Sequence, residues 1–326
     1  MQDVTDLPFL RTIAALGGAD VYVTEYFRVH IHSRLDPYIL RSITENPTER
    51  PIIAQMIGQD AQELVRTIGD LKNHPIAGID LNLGCPAPVV YRKNAGGGLL
   101  RNPNQVNSLL GRLREACGDL PFTVKTRVGF ESAEEFDQLL QIFKAHQINL
   151  LTIHSRTVKE RYQTPVHPER VAQAVRTLAC PVIANGNVVN AATGLAYLKE
   201  SGAAGLMIGR GAIRNPWLFS QLRDAFAQQQ ITQVTGSMVL EYISLLYEET
   251  AKEISEFVEE RHVQKMKKYL IYIAQGFHPD FEHRIRRVKT KQDFFATCCD
   301  FLDHRDPAPD LPPENSRIFC GFSQFL

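Results

Sequence analysis

The chain has 326 residues, 44% of them hydrophobic, enough for one large core or a large domain with a smaller one. Lys+Arg and Asp+Glu are equal at 36 each, so net charge argues for no polyanionic partner and any basic surface must be local. No run approaches the roughly 20 apolar residues of a membrane span, and the start MQDVTDLPFL lacks the basic and apolar parts of a signal peptide.

The chain opens on a helical pattern, TDLPFLRTIAALGG, with Thr5 or Asp6 as its N-cap. Seven short β-rich runs follow: ADVYVTEYF (19–27), PIIAQMIG (51–58), GIDLNLG (78–84), FTVKTRVG (122–129), LLTIHSRT (150–157), PVIANGN (181–187) and GLMIGRG (205–211). Helix-period segments such as AQELVRTIGDLKN and SAEEFDQLLQIFKAH lie between them. This alternation implies βαβ units and a parallel sheet. Several runs are almost wholly apolar, as strands covered on both faces should be. The reading is an α/β fold, a (β/α)8 TIM barrel over residues 1–235 whose first strand is missing or truncated, since such a barrel needs eight strands and seven are found. After about residue 235 the strand signal stops, and 236–326 reads as an all-helical domain ending in a Pro/Asp-rich tail.

In such a barrel the chemistry sits at the carboxyl ends of the strands. Gln55, Asn82, Cys85, Lys125, Arg127, His154, Arg156, Asn185-Gly186-Asn187 and Gly209-Arg210-Gly211 all fall there. Each alone has an ordinary reading: a solvated lysine, a hydrogen-bonded core histidine, a turn dipeptide. Their recurrence at one end of six strands marks a functional mouth. The NGN and GRG loops are suited to hold a phosphate on backbone N–H groups. With Lys125 and Gln55 nearer the middle, FMN fits, although the residues alone do not separate it from another phosphorylated ligand.

The helical part hides a charge segregation inside the zero balance. Glu248, Glu249, Glu253, Glu256, Glu259 and Glu260 precede Arg261, Lys265, Lys267, Lys268, Arg284, Arg286, Arg287, Lys289 and Lys291. Such a run is a solvated helix face or, beside Tyr269 and Tyr272, a surface for RNA phosphates. The six cysteines (Cys85, Cys117, Cys180, Cys298, Cys299, Cys320) contain no C-x-x-C pair and read as reduced thiols, with no metal site expected.

The segments MQDVTDLPF, PIIAQMIG, GIDLNLGCPAPVV…NAGGGLL, VKTRVGF, HSRT, VIANGNV and GRGAIRNPW together resemble the tRNA-dihydrouridine synthases, most specifically in NLGCP…GGGLL. The likeness spans the barrel and, more weakly, the helical domain, and leans to the bacterial C-type. It implies an FMN-dependent, NADPH-consuming reduction of uridine to 5,6-dihydrouridine in the D-loop of tRNA, near position 16. A hydride goes from reduced FMN to carbon 6 of uracil and a proton from Cys85 to carbon 5. Carried over residue by residue, Cys85 is the acid and Asn82 positions the substrate. Met1, Gln55, Lys125, His154, Asn185, Gly186, Asn187, Gly209 and Arg210 surround FMN. The base must leave its stack to reach the flavin. Arg127 and Arg156 are expected to hold it at the mouth, while Arg261, Lys265, Lys268, Arg284 and Arg286 grip the wider tRNA. Cys85 is expected on a turn, with the glycine run leaving room for a loop that moves. Three features depart from the family pattern: the strand before Met1, the loop VKERYQTPVHPERV and details of the glycine run. A cytoplasmic monomer without metal or membrane partner is expected. Two other readings share parts of this evidence. A small-molecule FMN oxidoreductase of the dihydroorotate or dihydropyrimidine dehydrogenase type would need no basic helical domain. A non-catalytic tRNA-binding protein on a decayed barrel would be colourless.

Overall fold

The computed structural model describes residues 4–162, 165–253 and 258–320, so Met1 lies outside the described residues. Each of the seven β-rich runs forms a strand, the first of them in two pieces: β1 (Tyr22–Val23), β2 (Phe27–Arg28), β3 (Ile52–Ile57), β4 (Gly78–Leu83), β5 (Phe122–Arg127), β6 (Leu150–His154), β7 (Val182–Asn185) and β8 (Gly205–Met207). They make one parallel sheet in which β3 to β8 follow one another and both β1 and β2 lie on β3. Helices intervene between most neighbours, as the right-handed crossover of a barrel requires. Local sequence sets their starts. Asp60 accepts the N–H groups of Gln62 and Glu63 ahead of the helix Ala61–Leu71, and Asn102 caps Pro103–Cys117 with proline at the first turn.

The break between β1 and β2 is a bulge. Val23 sits opposite Ile53 and Phe27 opposite Met56, so the outer strand advances four residues while β3 advances three. The Thr24 hydroxyl accepts the Gln55 N–H at 3.1 Å and so patches the interrupted ladder.

Among the described residues β8 does not pair with β1, which leaves a seam between them. Burial differs along the sheet. All six residues of β4 are buried, whereas all three of β8 are only half-buried. Outside the sheet the seam is bridged by Arg223, on the helix Leu218–Phe226 that follows β8. Its guanidinium donates to the carbonyls of Gly17 and Gly18 at 2.6 and 3.0 Å, just after the first helix, Leu7–Ala15.

From Gly236 onward every described element is a helix. Gly236–Ala251 and Glu259–Ile273 pack directly on the barrel: the Tyr242 hydroxyl donates to the Ile213 carbonyl at 2.9 Å, and Phe9 stacks on Tyr269. Tyr269 and Tyr272, expected on the RNA-facing side, are instead core residues, 0% and 1% exposed. They lie on the buried stripe of Val263, Met266, Leu270 and Ile273, where helical spacing puts them. Among the described residues no helix is long and apolar enough to cross a membrane, and no group of three or more potential ligands could hold a metal ion.

Candidate active site at the barrel mouth

The thiol-bearing side of the mouth is a closed hydrogen-bond network on β3, β4 and β5. Asn82 is its hinge. Its Oδ1 accepts the backbone N–H groups of both Gly84 and Cys85 at 3.0 Å, which bends the chain into the turn that lifts Cys85 out of the strand. Its Nδ2 donates to Gln55 Oε1 at 2.8 Å, and Gln55 Nε2 donates to Asp80 Oδ2 at 2.8 Å. Thr123 Oγ1 donates to the other Asp80 oxygen at 2.6 Å. Asp80 and Thr123, which the sequence reading assigned no part, are the floor of this network. Burial pushes the Asp80 carboxyl up, against the hydrogen bonds from Thr123 and Gln55 and the charge of Lys125. Lys125 is partly buried; burial first, then the Arg127 guanidinium, pull its ammonium down to about 8, with Asp80 and Cys85 opposing. Each amide nitrogen of Gln55 and Asn82 still has a second N–H for a ligand.

Cys85 itself is half-buried. The glycine run expected to give it a moving loop does the reverse. Gly96–Arg101 is a tight 3₁₀ turn whose glycines are all buried. Gly97 N–H donates to the Cys85 carbonyl at 3.2 Å. A side-chain carbon on Gly97 would come within 2.6 Å of Val158 Cγ2, and one on Gly98 within 2.4 Å of the Tyr91 carbonyl oxygen. These glycines are there for close packing beneath the thiol.

The other side of the mouth, on β6, β7 and β8, is built differently. His154 is buried, and burial, then Arg127, Lys125, Arg156 and Arg210, drive its imidazolium far down, so the ring is neutral. Its Nδ1 is buried and has no hydrogen-bond partner among the described residues. Asn185 Nδ2 donates to the Met207 carbonyl at 2.8 Å and ties β7 to β8. The turn after β7 carries positive φ at both Gly186 (132°) and Asn187 (52°), the first of which demands glycine. A side-chain carbon on Gly209 would meet nothing within 4 Å. A neutral imidazole with an unpartnered nitrogen, open space at the glycine turn and a guanidinium at Arg210 suit a flat, hydrogen-bonding, phosphorylated ligand such as FMN.

Two arginines correct the sequence reading. Arg127 and Arg156 were expected to hold the flipped nucleotide, yet each is 1% exposed. Arg127 Nε donates to the Gly84 carbonyl at 2.9 Å, and its Nη1 donates to the carbonyls of Thr157 and Arg161 at 2.7 and 2.8 Å. It is a clamp that ties the Cys85 turn to the loop after β6. Arg156 Nη1 donates to Asn187 Oδ1 at 3.2 Å and holds the turn after β7. A strand-end arginine looks solvent-facing in sequence, but carbonyls of neighbouring loops are acceptors that no sequence pattern reveals. The aromatic group of the mouth is Tyr162, which the sequence reading did not single out. The Arg210 guanidinium lies 4.0 Å from its ring centroid and that of Arg127 5.2 Å, while His154 meets its ring edge-on at 5.9 Å. A tyrosine inside the polar stretch VKERYQTP carries no periodicity that would have marked it.

A groove of about 1030 Å³ runs between the barrel and the helix Glu259–Ile273. Arg261, Lys265, Lys267 and Lys268 line it from the helical side, facing Asp6, Glu25, Tyr38 and Arg41. Lys265 is bound to Asp6 at 2.7 Å. Arg284 and Arg286 are not among the lining residues. Arg284 pairs with Asp300 at 2.5 Å over the Phe301 ring, and Arg286 pairs with Glu282 at 3.1 Å. The expected RNA-gripping cations thus separate into a groove set and a set, Arg284 and Arg286, tied down at the end of the helix Pro279–Ile285.

Comparison with known proteins places this architecture. The family model described as Dihydrouridine synthase (Dus) matches residues 1–305. A protein of Helicobacter pylori (strain J99) named "Probable tRNA-dihydrouridine synthase" is 31% identical over 276 residues, 83% of this chain and 80% of that one. One of Shewanella oneidensis named "tRNA-dihydrouridine(16) synthase" is 28% identical, covering 89% of this chain and 91% of that one. Among solved structures, a 2-naphthoyl-CoA reductase superposes with a TM-score of 0.50 at 12% identity, covering 68% of this chain and 46% of that one, a likeness of fold alone.

Proposed function

The chain belongs to the dihydrouridine synthase family, and from that premise we propose that it reduces uridine to 5,6-dihydrouridine in tRNA, with FMN as cofactor and NADPH as reductant, in the cytoplasm. The target is the D-loop uridine at position 16, the position named for the Shewanella oneidensis relative. Residues 1–235 carry the chemistry and 236–326 grip the RNA.

The observation that carries this reading is the Asn82 clasp. Two backbone hydrogen bonds to one amide oxygen hold Cys85 at the mouth. Reducing the uracil double bond needs a proton at carbon 5, and Cys85 donates it as general acid. Bound at the mouth, FMN supplies the hydride for carbon 6. Gln55, Lys125, His154, Asn185, Gly186, Asn187, Gly209 and Arg210 are the residues that would hold it. Lys125, set between Asp80 and Cys85 in charge balance, is placed to favour negative charge on the bound ring. The uridine leaves its stack to enter, and Arg261, Lys265, Lys267 and Lys268 along the groove meet the phosphates around it.

The test is direct. The purified protein should show flavin absorbance and, with NADPH, convert uridine 16 of unmodified tRNA to dihydrouridine, read by mass spectrometry of nuclease fragments. A colourless protein, or flavin turnover with free dihydropyrimidine substrates and none with tRNA, would refute it.

A further inference from the structure

The groove beside the barrel carries an aromatic ring that phosphate contacts alone would not need. Tyr38 lines it and is 74% exposed, the most exposed large hydrophobic side chain among the described residues. Among those residues neither its ring nor its hydroxyl meets another side chain in a ring contact or a hydrogen bond. A tyrosine on a free loop would mean little, but this one is fixed. It stands in the first turn of the helix Pro37–Thr44, where Asp36 accepts its N–H at 2.9 Å and Pro37 presets the turn. That helix buries Ile39, Ser42 and Ile43, which share one face at helical spacing, and Tyr38 lies off that face. Arg41 on the same helix pairs with Glu253, just past the end of the helix Gly236–Ala251, so the helix is tied to the helical part. The ring also stands toward the mouth. The chain leaves β2 at its carboxyl end and must return to the start of the parallel strand β3, so the helix between them begins on the mouth side.

The groove's other wall says what the ring is for. Arg261, Gln264, Lys265, Lys268 and Ile271 recur at helical spacing on the helix Glu259–Ile273 and all line the groove. Lys265 is bound to Asp6, but Arg261 and Lys268, one turn to either side, are exposed and form no ion pair among the described residues. Uncommitted cations call for an anion, and an exposed ring calls for a flat apolar face. An unpaired stretch of RNA offers both along one strand, phosphates for the cations and bases for the ring. Extruding the target uridine also breaks the stack on either side of it, so a loop base is left with a face to cover. We infer that Tyr38 is a stacking platform for one base of the tRNA loop other than the uridine being reduced, with Arg261 and Lys268 on the phosphates across the groove. The inference rests on tRNA being the substrate. Every base has a π-face, so the platform contributes affinity and register and tolerates different bases.

The experiment measures tRNA binding by the full-length, flavin-loaded protein over a series of salt concentrations, beside turnover. Tyr38→Ala should weaken tRNA binding about 5- to 150-fold, the worth of one stacked base. The loss should act on the KM for tRNA rather than on kcat. The dependence of affinity on salt should keep its slope, because no charge is removed, whereas Lys268→Ala should lower that slope by about 1. Tyr38→Phe keeps the ring and should bind within about twofold of wild type. Inorganic polyphosphate, which has phosphates and no bases, should bind Tyr38→Ala and wild type alike. Wild-type tRNA affinity in Tyr38→Ala, an equal loss for tRNA and polyphosphate, or a loss in Tyr38→Phe as large as in Tyr38→Ala would overturn the inference. Should Tyr38→Ala melt lower than wild type, Tyr38→Trp decides: tRNA should quench the indole emission added to that of Trp217, the chain's single natural tryptophan, and absence of quenching would overturn the inference. If the wild-type protein neither binds nor reduces tRNA, the substrate reading itself falls. If it does both and Tyr38→Ala matches it, only the platform falls.

Discussion

The two halves of the mouth obey opposite rules. On β3, β4 and β5 the amide and carboxyl side chains are already partnered: Asn82 with Gln55, Gln55 and Thr123 with Asp80, and the Cys85 turn with Asn82. On β6, β7 and β8 a buried imidazole nitrogen has no partner among the described residues, and the Gly209 turn faces open space. The first half is organised before any ligand arrives, as an acid that must stand within reach of one carbon should be. The second is polar in a way that costs stability by itself, since an unpaired buried group forgoes its hydrogen bond to water. A ligand that supplies the missing partner recovers that cost on binding. One mouth thus holds a finished proton-donor half and a cofactor half completed from outside.

The largest expected effect tests the finished half. Cys85→Ala should lower the rate of uridine reduction by about 10²- to 10⁴-fold, the usual worth of a positioned acid, with flavin content and tRNA affinity unchanged. Turnover under saturating NADPH and tRNA reads the first, and filter binding the last. Next comes the clasp. Asn82→Ala frees the N–H groups of Gly84 and Cys85 and strips Gln55 of its donor. Melting should report a loss of about 1–3 kcal/mol, and turnover should fall together with it, by less than for Cys85→Ala.

The opposite half should answer differently. His154→Phe keeps a ring against Tyr162 and removes the unpartnered nitrogen. The flavin-free protein should melt no lower than wild type, while flavin affinity, followed by fluorescence quenching on titration, drops. If His154→Phe destabilises the flavin-free protein as much as Asn82→Ala does, the two halves are not built on different rules.

This contrast explains what the sequence could and could not disclose. The strands were readable because PIIAQMIG and GIDLNLG are mostly apolar, as strands covered on both faces are, with Gln55, Asp80 and Asn82 the exceptions. The strand-end residues were readable as a set, since the barrel brings every carboxyl end to one mouth. What stayed hidden depended on partners far along the chain. Nothing in ADVYVTEYF shows a bulge, because the extra residue exists only against the register of β3. Nothing in VKTR shows that Arg127 will meet the carbonyls of Thr157 and Arg161. The tyrosines of the helix Glu259–Ile273 are a different case. Their spacing from Met266 and Ile273 already put Tyr269 and Tyr272 on the apolar stripe, and the nearby lysines drew attention away from it.

The smallest effect is a matter of pH, and Lys125 sets its sign. Burial and the Arg127 guanidinium hold this lysine down to about 8 in the folded protein, against about 10.4 in an unfolded chain. Between those values the unfolded chain binds more protons than the folded one, so folding stability of the flavin-free protein rises with pH across that window. Below about 8 both forms are protonated and the penalty of burying the charge is fully present; above the unfolded value both are neutral and it is gone. Lys125→Met should remove this slope, leaving flavin-free stability flatter between pH 8 and 10 in urea titrations read by circular dichroism. Flavin-loaded protein should show less of the slope, because negative charge on a bound ligand favours the ammonium and narrows the window. An equal slope with and without flavin would mean that Lys125 does not face the ligand, and the cofactor would then be held without its ammonium.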